Sequence, residues 1–409
     1  MNLGEGATTG TLGAPRVALP PTSVERTQHR GVCARLGQLY AVFRVQKFFK
    51  FVGQFRGSVL GHIAMGAADL NREPSSSWRT EWTQHEPAYA SVPPPPHPTY
   101  DLHATIRAAL DEDAGDYGDI TTLSTVPETT QATATFLAKA EGTVAGLYVA
   151  TVVFGLVDPA VKMTWQTNDG DQVKRGQVLG VATGPARAIL VGERVALNYL
   201  QRMSGIATQT HQMVEAIAVG SGSGCCKPST TLLDTRKTVP GLRLLDKWAV
   251  KIGGGENHRM GLYDMVMIKD NHHAAAGGIP EAIRAAEAYM RDKGISRPME
   301  VETRTLEEVK TVLDVVERNR GASMVTRIML DNMVTREDHE DGRVTVDTSM
   351  LEEALAMIRE RGVPVETEAS GNVTLATVGE ISKTGVQFIS TGSITHSVTA
   401  LDISLLIDM

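Results

Sequence analysis

Cysteine is scarce in this sequence, and long apolar runs are absent. Only three of the 409 residues are cysteine, which excludes a small scaffold stapled by disulfides. Cys33 stands alone, and the vicinal Cys225 and Cys226 cannot bond to each other without strain, so we expect a reducing compartment. The longest apolar run, Leu147–Val157, is too short to cross a bilayer, so we expect no membrane interaction.

The familiar nucleotide-binding glycine motifs are also missing. A glycine-rich stretch at 220–224 is not followed by Gly-Lys-Ser/Thr, which excludes a P-loop. Three glycines at 253–255 follow a predicted helix rather than a strand, which excludes a dinucleotide-binding fingerprint. Any phosphate-binding loop must therefore be of another kind.

Negative charge predominates over the whole chain but not at its front end. The formal net charge of −7 argues against a general nucleic-acid-binding protein. Residues 1–60 nevertheless carry eight basic residues against two acidic ones, a sum of +6, which leaves −13 for residues 61–409. A basic, acid-poor front end on an acidic body indicates two parts with different roles.

Residues 1–98 are predicted to be a leader followed by a proline-rich linker. The leader interleaves basic residues with phenylalanines, and it resembles an organellar transit peptide. A disordered extension without a targeting role is the alternative. The run at 93–98 is almost all proline, which holds the chain extended and cannot continue a helix.

The region after residue 230 alternates between short β-rich runs and helical stretches. Six such runs over about 160 residues predict a parallel sheet with right-handed crossovers. Six or seven units of this kind can close into an α/β barrel, and an open doubly wound sheet is the alternative. Two capping boxes, Thr305 with Glu308 and Ser349 with Glu352, mark predicted helix starts.

Cationic residues cluster at the predicted strand ends. Arg236, Lys237, His258, Arg259 and Lys269 fall within 34 residues, and one further arginine, Arg194, lies upstream. Arginine forks bind carboxylates and phosphates in bidentate fashion, and lysine adds a point charge. The cluster predicts a small, multiply anionic substrate.

Two acidic residues, Glu302 and Asp331, end two other predicted strands. Paired carboxylates beside a cationic site suit a divalent metal ion or sugar hydroxyls. The alternative is that they only neutralise the nearby lysines.

Two small-residue turns near the C-terminus each open a predicted helix. Backbone amides at helix N-termini bind phosphate, and α/β barrels commonly keep such a site after their last strands. Gly371 and Gly392 would allow close approach of the backbone, and His396 could add a donor.

Taken together, these motifs resemble the quinolinate phosphoribosyltransferases, also called carboxylating nicotinate-nucleotide pyrophosphorylases. The resemblance covers residues 99–409 and is greatest to plant and algal members, which share the PTYD entry at 98–101. It departs in the leader, at 220–229 and in the acidic loop at 336–343. The motifs are LDTRKT at 233–238, GGGENHRMG at 253–261, MIKDNH at 267–272, EVE at 300–302, MLDN at 329–332 and GSITHS at 392–397.

The resemblance implies a fold of class α/β with two domains. An N-terminal α/β sandwich domain would cover residues 99–208, and an incomplete α/β barrel of about seven strands would cover residues 209–395. A C-terminal helix at 396–409 would return to the sandwich domain. A plastid is the implied compartment, with the mitochondrion or the cytoplasm as alternatives.

The resemblance also implies an activity: phosphoribosyl pyrophosphate and quinolinate would give nicotinate mononucleotide, pyrophosphate and carbon dioxide, with Mg²⁺ as cofactor. A nicotinate-type phosphoribosyltransferase and a non-catalytic anion-binding barrel are the alternatives. Glu302 and Asp331 would lie near the ribose and the metal, directly or through water or substrate. Together with Lys237 and Lys269, they would form the catalytic set.

The remaining roles are implied in the same way. Arg236, His258, Arg259 and Lys269 would hold the quinolinate carboxylates, and Lys237 would be shared with the phosphoribosyl donor. Arg194 would reach into the partner subunit's site, which implies a homodimer or a larger homo-oligomer with shared active sites. The loops for the 5′-phosphate would contain Ser370, Gly371, Asn372, Gly392 and His396.

Overall fold

The computed structural model describes residues 87–222, 230–340 and 343–409. Most of the predicted leader and the Cys33, Cys225 and Cys226 positions lie outside these residues. Two regions follow one another along the chain, a sheet-and-helix domain and a parallel-sheet domain. No helix in the described ranges is both long and apolar enough to cross a membrane.

The first domain is an antiparallel sheet with helices packed against it. Its four strands lie in the order β14-β1-β5-β3. Phe136, Phe154 and Trp165 form an aromatic core, with ring centroids 6.2 and 5.0 Å from Phe136. In chain order its elements are α1 (Leu102–Ala114), α2 (Ile120–Thr125), β1 (Gln131–Ala138), β2 (Gly142–Thr143), α3 (Leu147–Val157), β3 (Lys162–Trp165), β4 (Gln172–Val173), β5 (Val178–Pro185) and α4 (Ala186–Gly220).

The C-terminal segment predicted as a helix is instead a strand, so that prediction is wrong. Strand β14 (Ile403–Asp408) pairs antiparallel with β1, from Ala138 opposite Ile403 to Thr133 opposite Asp408. Ile403 and Leu405 are buried whereas Leu406 is largely exposed, so the two sides of this strand differ, as expected for a half-buried sheet edge. The chain thus returns to the first domain.

The second domain is a parallel sheet of six strands in the order β6-β13-β12-β9-β8-β7. An isolated parallel bridge between Leu233 and Glu256 adds a seventh position beside β6. From β7 to β13 and then to β6, neighbouring strands of the sheet come in chain order, as in an incomplete barrel. The elements are β6 (Thr231–Leu233), α5 (Arg243–Ile252), β7 (Val266–Ile268), α6 (Asp270–Ala276), α7 (Ile279–Lys293), β8 (Met299–Thr303), α8 (Leu306–Arg318), β9 (Val325–Asp331), β10 (Thr335–Asp338), β11 (Val344–Asp347), α9 (Ser349–Arg361), β12 (Glu366–Ser370), α10 (Leu375–Lys383), β13 (Phe388–Ser390) and α11 (Ser393–His396).

Capping determines where the barrel helices begin. The box of Thr305 and Glu308 is present and starts α8, as predicted. For α9 the N-cap is Thr348 rather than Ser349, and its hydroxyl donates to Glu352 at 2.7 Å. The Thr348 side chain makes no hydrogen bond to the first backbone amides of α9, so the capping box predicted for Ser349 and Glu352 is wrong.

The proline-rich segment is not a free linker, in contrast to the prediction. From residue 87 it lies on the body of the protein, and Ala90, Pro94 and Pro95 are buried. The Trp248 indole donates to the backbone carbonyl of Val92 at 2.8 Å. A proline run has few backbone donors to satisfy, so it can pack on a surface as an extended strap.

Candidate active site

A cavity of about 520 Å³ opens at the carboxyl ends of the barrel strands. Such ends meet at one edge of a parallel sheet, so short polar segments distant in sequence converge there. The cavity is lined by Thr235, Arg236, Lys237, His258, Arg259, Met267, Lys269, Asp270, Glu302, Arg304, Met329, Asp331, Asn332, Ser370, Gly371 and Ser390.

One wall of the cavity is cationic. Arg236, Lys237 and Arg259 line it, and within the described parts of the chain no acidic side chain forms an ion pair with any of the three. Burial and the neighbouring Arg236 lower the pKa of Arg259. Cations that lie this close together without carboxylate partners favour binding of an anion with more than one charge.

His258 lies in the floor of the cavity and is only 7 % exposed. Its Nε2 is 3.0 Å from Glu300 and 3.2 Å from Glu368, and its Nδ1 is 2.7 Å from the Arg259 amide nitrogen. Burial disfavours the charged ring, but the carboxylates of Glu300 and Glu368 outweigh burial and raise the pKa of His258 to about 9. Both ring nitrogens therefore face protein groups, and the ring fixes the segment that carries Arg259.

The cluster of His258, Glu300 and Glu368 has the donor types of a metal site. Arg327 nevertheless lies beside it, with Nη1 2.9 Å from Glu368. Burial and the adjacent Glu368 raise the pKa of Glu300 to about 7. His258 and Arg327 thus already supply the two buried carboxylates with cationic partners.

A second buried network lies behind the cationic wall. Asp234 follows β6, and its carboxylate accepts from Lys247, from Asn257 Nδ2 at 2.8 Å and from the His258 amide at 2.9 Å. Lys247 also donates to the His258 carbonyl at 3.0 Å. Because Arg236 follows Asp234 and Arg259 follows His258, this network fixes the two arginine-bearing segments relative to each other.

The opposite wall carries Glu302 and Asp331, as the strand-end pattern predicted. Lys269 forms an ion pair with Glu302, and Arg304 contacts both carboxylates at 3.3 Å. Burial and the adjacent Glu302 raise the pKa of Asp331. Glu302 and Asp331 offer hard carboxylate oxygens at an open cavity, which is the donor chemistry that Mg²⁺ prefers.

The loop after β12 comes very close to the loop after β9. Gly371 has φ +86°, and a Cβ there would lie 2.1 Å from Asn332 Oδ1. Asn332 and Asn372 also adopt positive φ. The side-chain amide of Asn372 donates from Nδ2 to the backbone carbonyl of Val334 at 3.0 Å. The turn therefore depends on glycine and asparagine, which tolerate this conformation.

The loop after β13 touches the cationic wall. A Cβ on Gly392 would lie 2.5 Å from Lys237 Cδ and 2.9 Å from His396 Cδ2. Ser370 and Gly371 line the cavity itself, whereas Asn372, Gly392 and His396 do not contribute to its lining. Lys237 thus packs on the loop that was predicted to bind phosphate.

Arg194 does not join the cavity of its own chain. It is exposed on α4 and does not contribute to the lining. Nearby, Leu190 and Val191 of α4 line a groove together with Ile120 of α2. Tyr117, Ile120 and Leu123 are 81, 65 and 52 % exposed, which is unusual for large apolar side chains.

Arg304, Glu300 and Asn332 are site residues that the sequence reasoning missed. Glu300, Glu302 and Arg304 stand two residues apart at the end of β8, so the period of a strand could have placed them on one face. No comparable signal exists for Asn332, because its role depends on the positive φ of the turn.

Comparison with known proteins agrees with this geometry. Residues 119–204 match the family described as quinolinate phosphoribosyl transferase, N-terminal domain, and residues 206–406 match its C-terminal domain. A chloroplastic nicotinate-nucleotide pyrophosphorylase [carboxylating] of Arabidopsis thaliana is 53% identical over 317 residues, 78% of this chain and 86% of the relative. A quinolinate phosphoribosyltransferase [decarboxylating] of Nicotiana tabacum, form 1b, is 52% identical over 317 residues, 78% and 85% of the two chains.

A solved structure supports the same assignment. NadC from Streptococcus pyogenes has a TM-score of 0.64 and 35% identity, and the match covers 75% of this chain and 96% of that one. The sheet domain and the α/β barrel thus occur together in a known architecture. The chain belongs to the quinolinate phosphoribosyltransferase family.

Proposed function

We propose that the cavity transfers a phosphoribosyl group from phosphoribosyl pyrophosphate to quinolinate, with loss of carbon dioxide, in the biosynthesis of NAD. The observation that carries this proposal is the pairing of two walls in one cavity. Cations without carboxylate partners stand on one side, and Glu302 and Asp331 stand on the other. A dicarboxylate and a phosphorylated sugar need these two kinds of surface.

Quinolinate binds to the cationic wall. Arg236 and Arg259 each offer a planar fork that matches a carboxylate, and Lys269 adds a charge at the border with Glu302. His258 acts by holding the Arg259 segment, since both of its ring nitrogens face protein groups. Lys237 packs on Gly392, so it reaches both the acceptor and the phosphate of the donor.

Transfer begins when the pyridine nitrogen approaches the anomeric carbon of the donor. The nitrogen lone pair forms the new bond while the bond to pyrophosphate breaks, and its electron pair leaves with the pyrophosphate. Positive charge develops on the ribose, and Glu302 and Asp331 lie where they can stabilise it. Orientation of the two substrates across the cavity lowers the barrier further.

Decarboxylation follows transfer. The ribosylated ring nitrogen is cationic, so the electron pair left by carbon dioxide is stabilised on the adjacent carbon, which then takes a proton. Quinolinate alone should release no carbon dioxide on the enzyme. Release of carbon dioxide without the phosphoribosyl donor would contradict this order.

A magnesium ion bound with the donor would neutralise charge on the departing pyrophosphate. Glu302 and Asp331 are the residues that would hold it, directly or through water or substrate. Their carboxylates already share one cation, Arg304, in the described structure.

A homodimer or larger homo-oligomer with shared active sites is part of the proposal. Arg194 is exposed and forms no ion pair with another described residue, and the exposed Ile120 lies in the groove that Leu190 and Val191 of the same helix also line. A second copy would cover this surface and receive Arg194 at its own cavity. Burial of these apolar side chains against the second copy would remove them from water, which is energetically favourable.

We also propose delivery to the plastid through the basic leader. Related proteins carry chloroplastic or mitochondrial in their names, and the leader has the composition of a transit peptide. A fusion of residues 1–86 to a fluorescent protein should enter chloroplasts in plant or algal cells. Entry into mitochondria alone, or none, would overturn the plastid assignment.

The decisive test of the activity is quinolinate-dependent release of pyrophosphate by the purified enzyme, with nicotinate as the matched alternative acceptor. Quinolinate should be strongly preferred, because nicotinate lacks the second carboxylate that the arginine pair binds. Faster turnover of nicotinate would favour a nicotinate-type enzyme. Ligand binding without any product would favour a non-catalytic barrel.

A further inference from the structure

Arg304 joins three carboxylates that come from three successive strand ends. Its Nη1 lies 2.7 Å from Asp270 Oδ2, its Nη2 lies 3.3 Å from Glu302 Oε1, and its Nε lies 3.3 Å from Asp331 Oδ2. Asp270 follows β7, Glu302 lies in β8 and Asp331 ends β9. The guanidinium thus occupies the acidic wall of the cavity.

The acidic wall needs a cation when no ligand is bound. The Glu302 side chain is only 4 % exposed and that of Asp331 only 14 %, so their negative charges are poorly screened by water. Lys269 pairs with Glu302 but forms no ion pair with Asp331 among the described residues. Arg304 is the group that contacts both carboxylates.

Arg304 can also leave this position at little cost to the fold. Its side chain is 48 % exposed, and its ion pairs are with carboxylates rather than with packed core groups. Its backbone N–H donates to Glu308 at the start of α8 whatever side chain it carries. Substitution of the side chain therefore leaves the helix cap in place.

We propose that Arg304 is an exchangeable counter-ion that neutralises Glu302 and Asp331 in the empty site and then moves to the pyrophosphate of the incoming donor. The inference rests on the proposed function. A divalent cation and a guanidinium repel each other, so both cannot occupy the same two carboxylates. Pyrophosphate offers oxygens that match the guanidinium fork, and Asp270, its closest partner, keeps Arg304 at the cavity rim.

This exchange predicts opposite effects on two ligands. Removal of the guanidinium frees the carboxylates for a metal ion, so the donor-free protein should bind a divalent cation more tightly. The same change removes a cation from the pyrophosphate site, so pyrophosphate should bind more weakly. Substitution of a residue with only a structural role would shift both affinities in the same direction or would leave both unchanged.

The test compares Arg304→Gln and Arg304→Lys with wild type. Binding of Mn²⁺ to the substrate-free protein is followed by electron paramagnetic resonance, and binding of pyrophosphate with Mg²⁺ by calorimetry. For Arg304→Gln we expect about threefold or more tighter Mn²⁺ and about tenfold or more weaker pyrophosphate. Arg304→Lys keeps a positive charge but lacks the guanidinium fork. Its affinities for Mn²⁺ and for pyrophosphate should lie between those of wild type and of Arg304→Gln. Arg297→Gln, at an exposed position outside the cavity, should match wild type.

Two results would overturn the exchange. One is unchanged affinity for both ligands in Arg304→Gln, and the other is a loss of affinity for Mn²⁺ together with pyrophosphate. Neither readout needs turnover, so failure of the exchange is separate from failure of the proposed reaction. The latter would appear as wild-type protein that releases no pyrophosphate with quinolinate.

Discussion

Lys247 and Asp234 form an ion pair in which both side chains are completely buried. The pair joins α5 to the end of β6, and the same two groups bond the amide and the carbonyl of His258. Burial raises the pKa of Asp234 to about 6 and lowers the pKa of Lys247, so each charge depends on the other. The cationic wall of the cavity is built on this pair.

Lys247→Met should therefore damage both stability and substrate binding. It leaves Asp234 buried without its cation, and breaking a buried pair in this way typically costs about 3–5 kcal/mol. We expect a drop of this order in the free energy of unfolding by urea, and a weaker affinity for quinolinate because the Arg236 and Arg259 segments lose their common support. Calorimetry at a temperature where the variant is folded measures the second effect.

Two further variants make the interpretation specific. Lys247→Met combined with Asp234→Asn should recover part of the lost stability, since the uncompensated charge is removed. Arg284→Gln breaks the exposed pair with Glu281 and should cost less than about 1 kcal/mol. If Lys247→Met costs no more than Arg284→Gln, the pair does not support the wall.

Arg236→Ala should weaken quinolinate binding by at least about 2 kcal/mol, because it removes a charge-assisted hydrogen-bonded pair in a partly desolvated cavity. The dissociation constant measured by calorimetry checks this value. Arg175→Ala, at an exposed turn outside the cavity, is the matched control. Quinolinate affinity of Arg236→Ala within twofold of wild type would contradict the assignment.

Most of the barrel could be predicted because strand-end residues and helix faces leave local signals. Val309, Val312, Leu313 and Val316 are the buried face of α8, as their spacing indicated. Arg236 lies three residues after β6, Glu302 and Asp331 lie at the ends of β8 and β9, and the sheet brings those ends together. For these residues the position in the sequence is enough to place them.

Other features depend on partners distant in the chain. The helix at 396–409 was implied by the resemblance alone, and the strand found there depends on pairing with β1, which lies about 270 residues away in the chain. The proline segment was taken for a linker because nothing in it shows that Trp248 donates to Val92. The spacing of Arg304 from Glu302 places both on one face, but its contacts with Asp270 and Asp331 depend on two other strands.

Gly371→Ala should be far more harmful than Gly392→Ala. At Gly371 the φ of +86° is strained for alanine, and the new Cβ would lie 2.9 Å from the Asn332 backbone nitrogen, which cannot move aside easily. At Gly392 the new Cβ meets only the side chains of Lys237 and His396, which can shift. We expect Gly371→Ala to lose about 2 kcal/mol or more of stability. Gly392→Ala should keep its stability and raise the KM for the phosphoribosyl donor.

Gly385→Ala separates backbone strain from crowding. This glycine has φ +77°, but a Cβ there meets nothing within 4 Å. It should lose about 1 kcal/mol of stability and leave the KM for the donor unchanged. Equal loss of stability in Gly371→Ala and Gly385→Ala would show that the contact with Asn332 has no effect.

Asp169 should make the protein less stable as the pH rises from 5 to 8. Burial raises the pKa of its carboxyl to about 7, although the amides of Leu147 and Gly146 donate to it at 3.1 and 2.9 Å. The folded protein then keeps a proton that the unfolded chain releases near pH 4, so stability is greatest at low pH and is lost up to pH 7. Relative to Asp169→Asn, wild type should lose on the order of 3 kcal/mol across this range. Urea unfolding at several pH values measures the difference.

The control for this effect is Asp402→Asn, a change at an exposed aspartate. Its stability relative to wild type should stay nearly constant over the same pH range. A constant difference between Asp169→Asn and wild type would show that Asp169 is ionised in the folded protein at pH 5.

Mixing two inactive variants should restore activity if the active sites are shared between subunits. Arg194→Ala removes an exposed arginine that does not line its own cavity, whereas Arg236→Ala damages the cavity itself. In a mixed dimer one cavity is intact and receives Arg194 from the partner. Random exchange of subunits then gives native sites in about a quarter of all positions. Quinolinate-dependent pyrophosphate release by the mixture should rise toward that fraction of the wild-type rate.

A mixture of Arg236→Ala and Lys237→Ala should stay inactive, because both changes affect the same wall. If the first mixture is no more active than its separate components, Arg194 does not serve a neighbouring subunit.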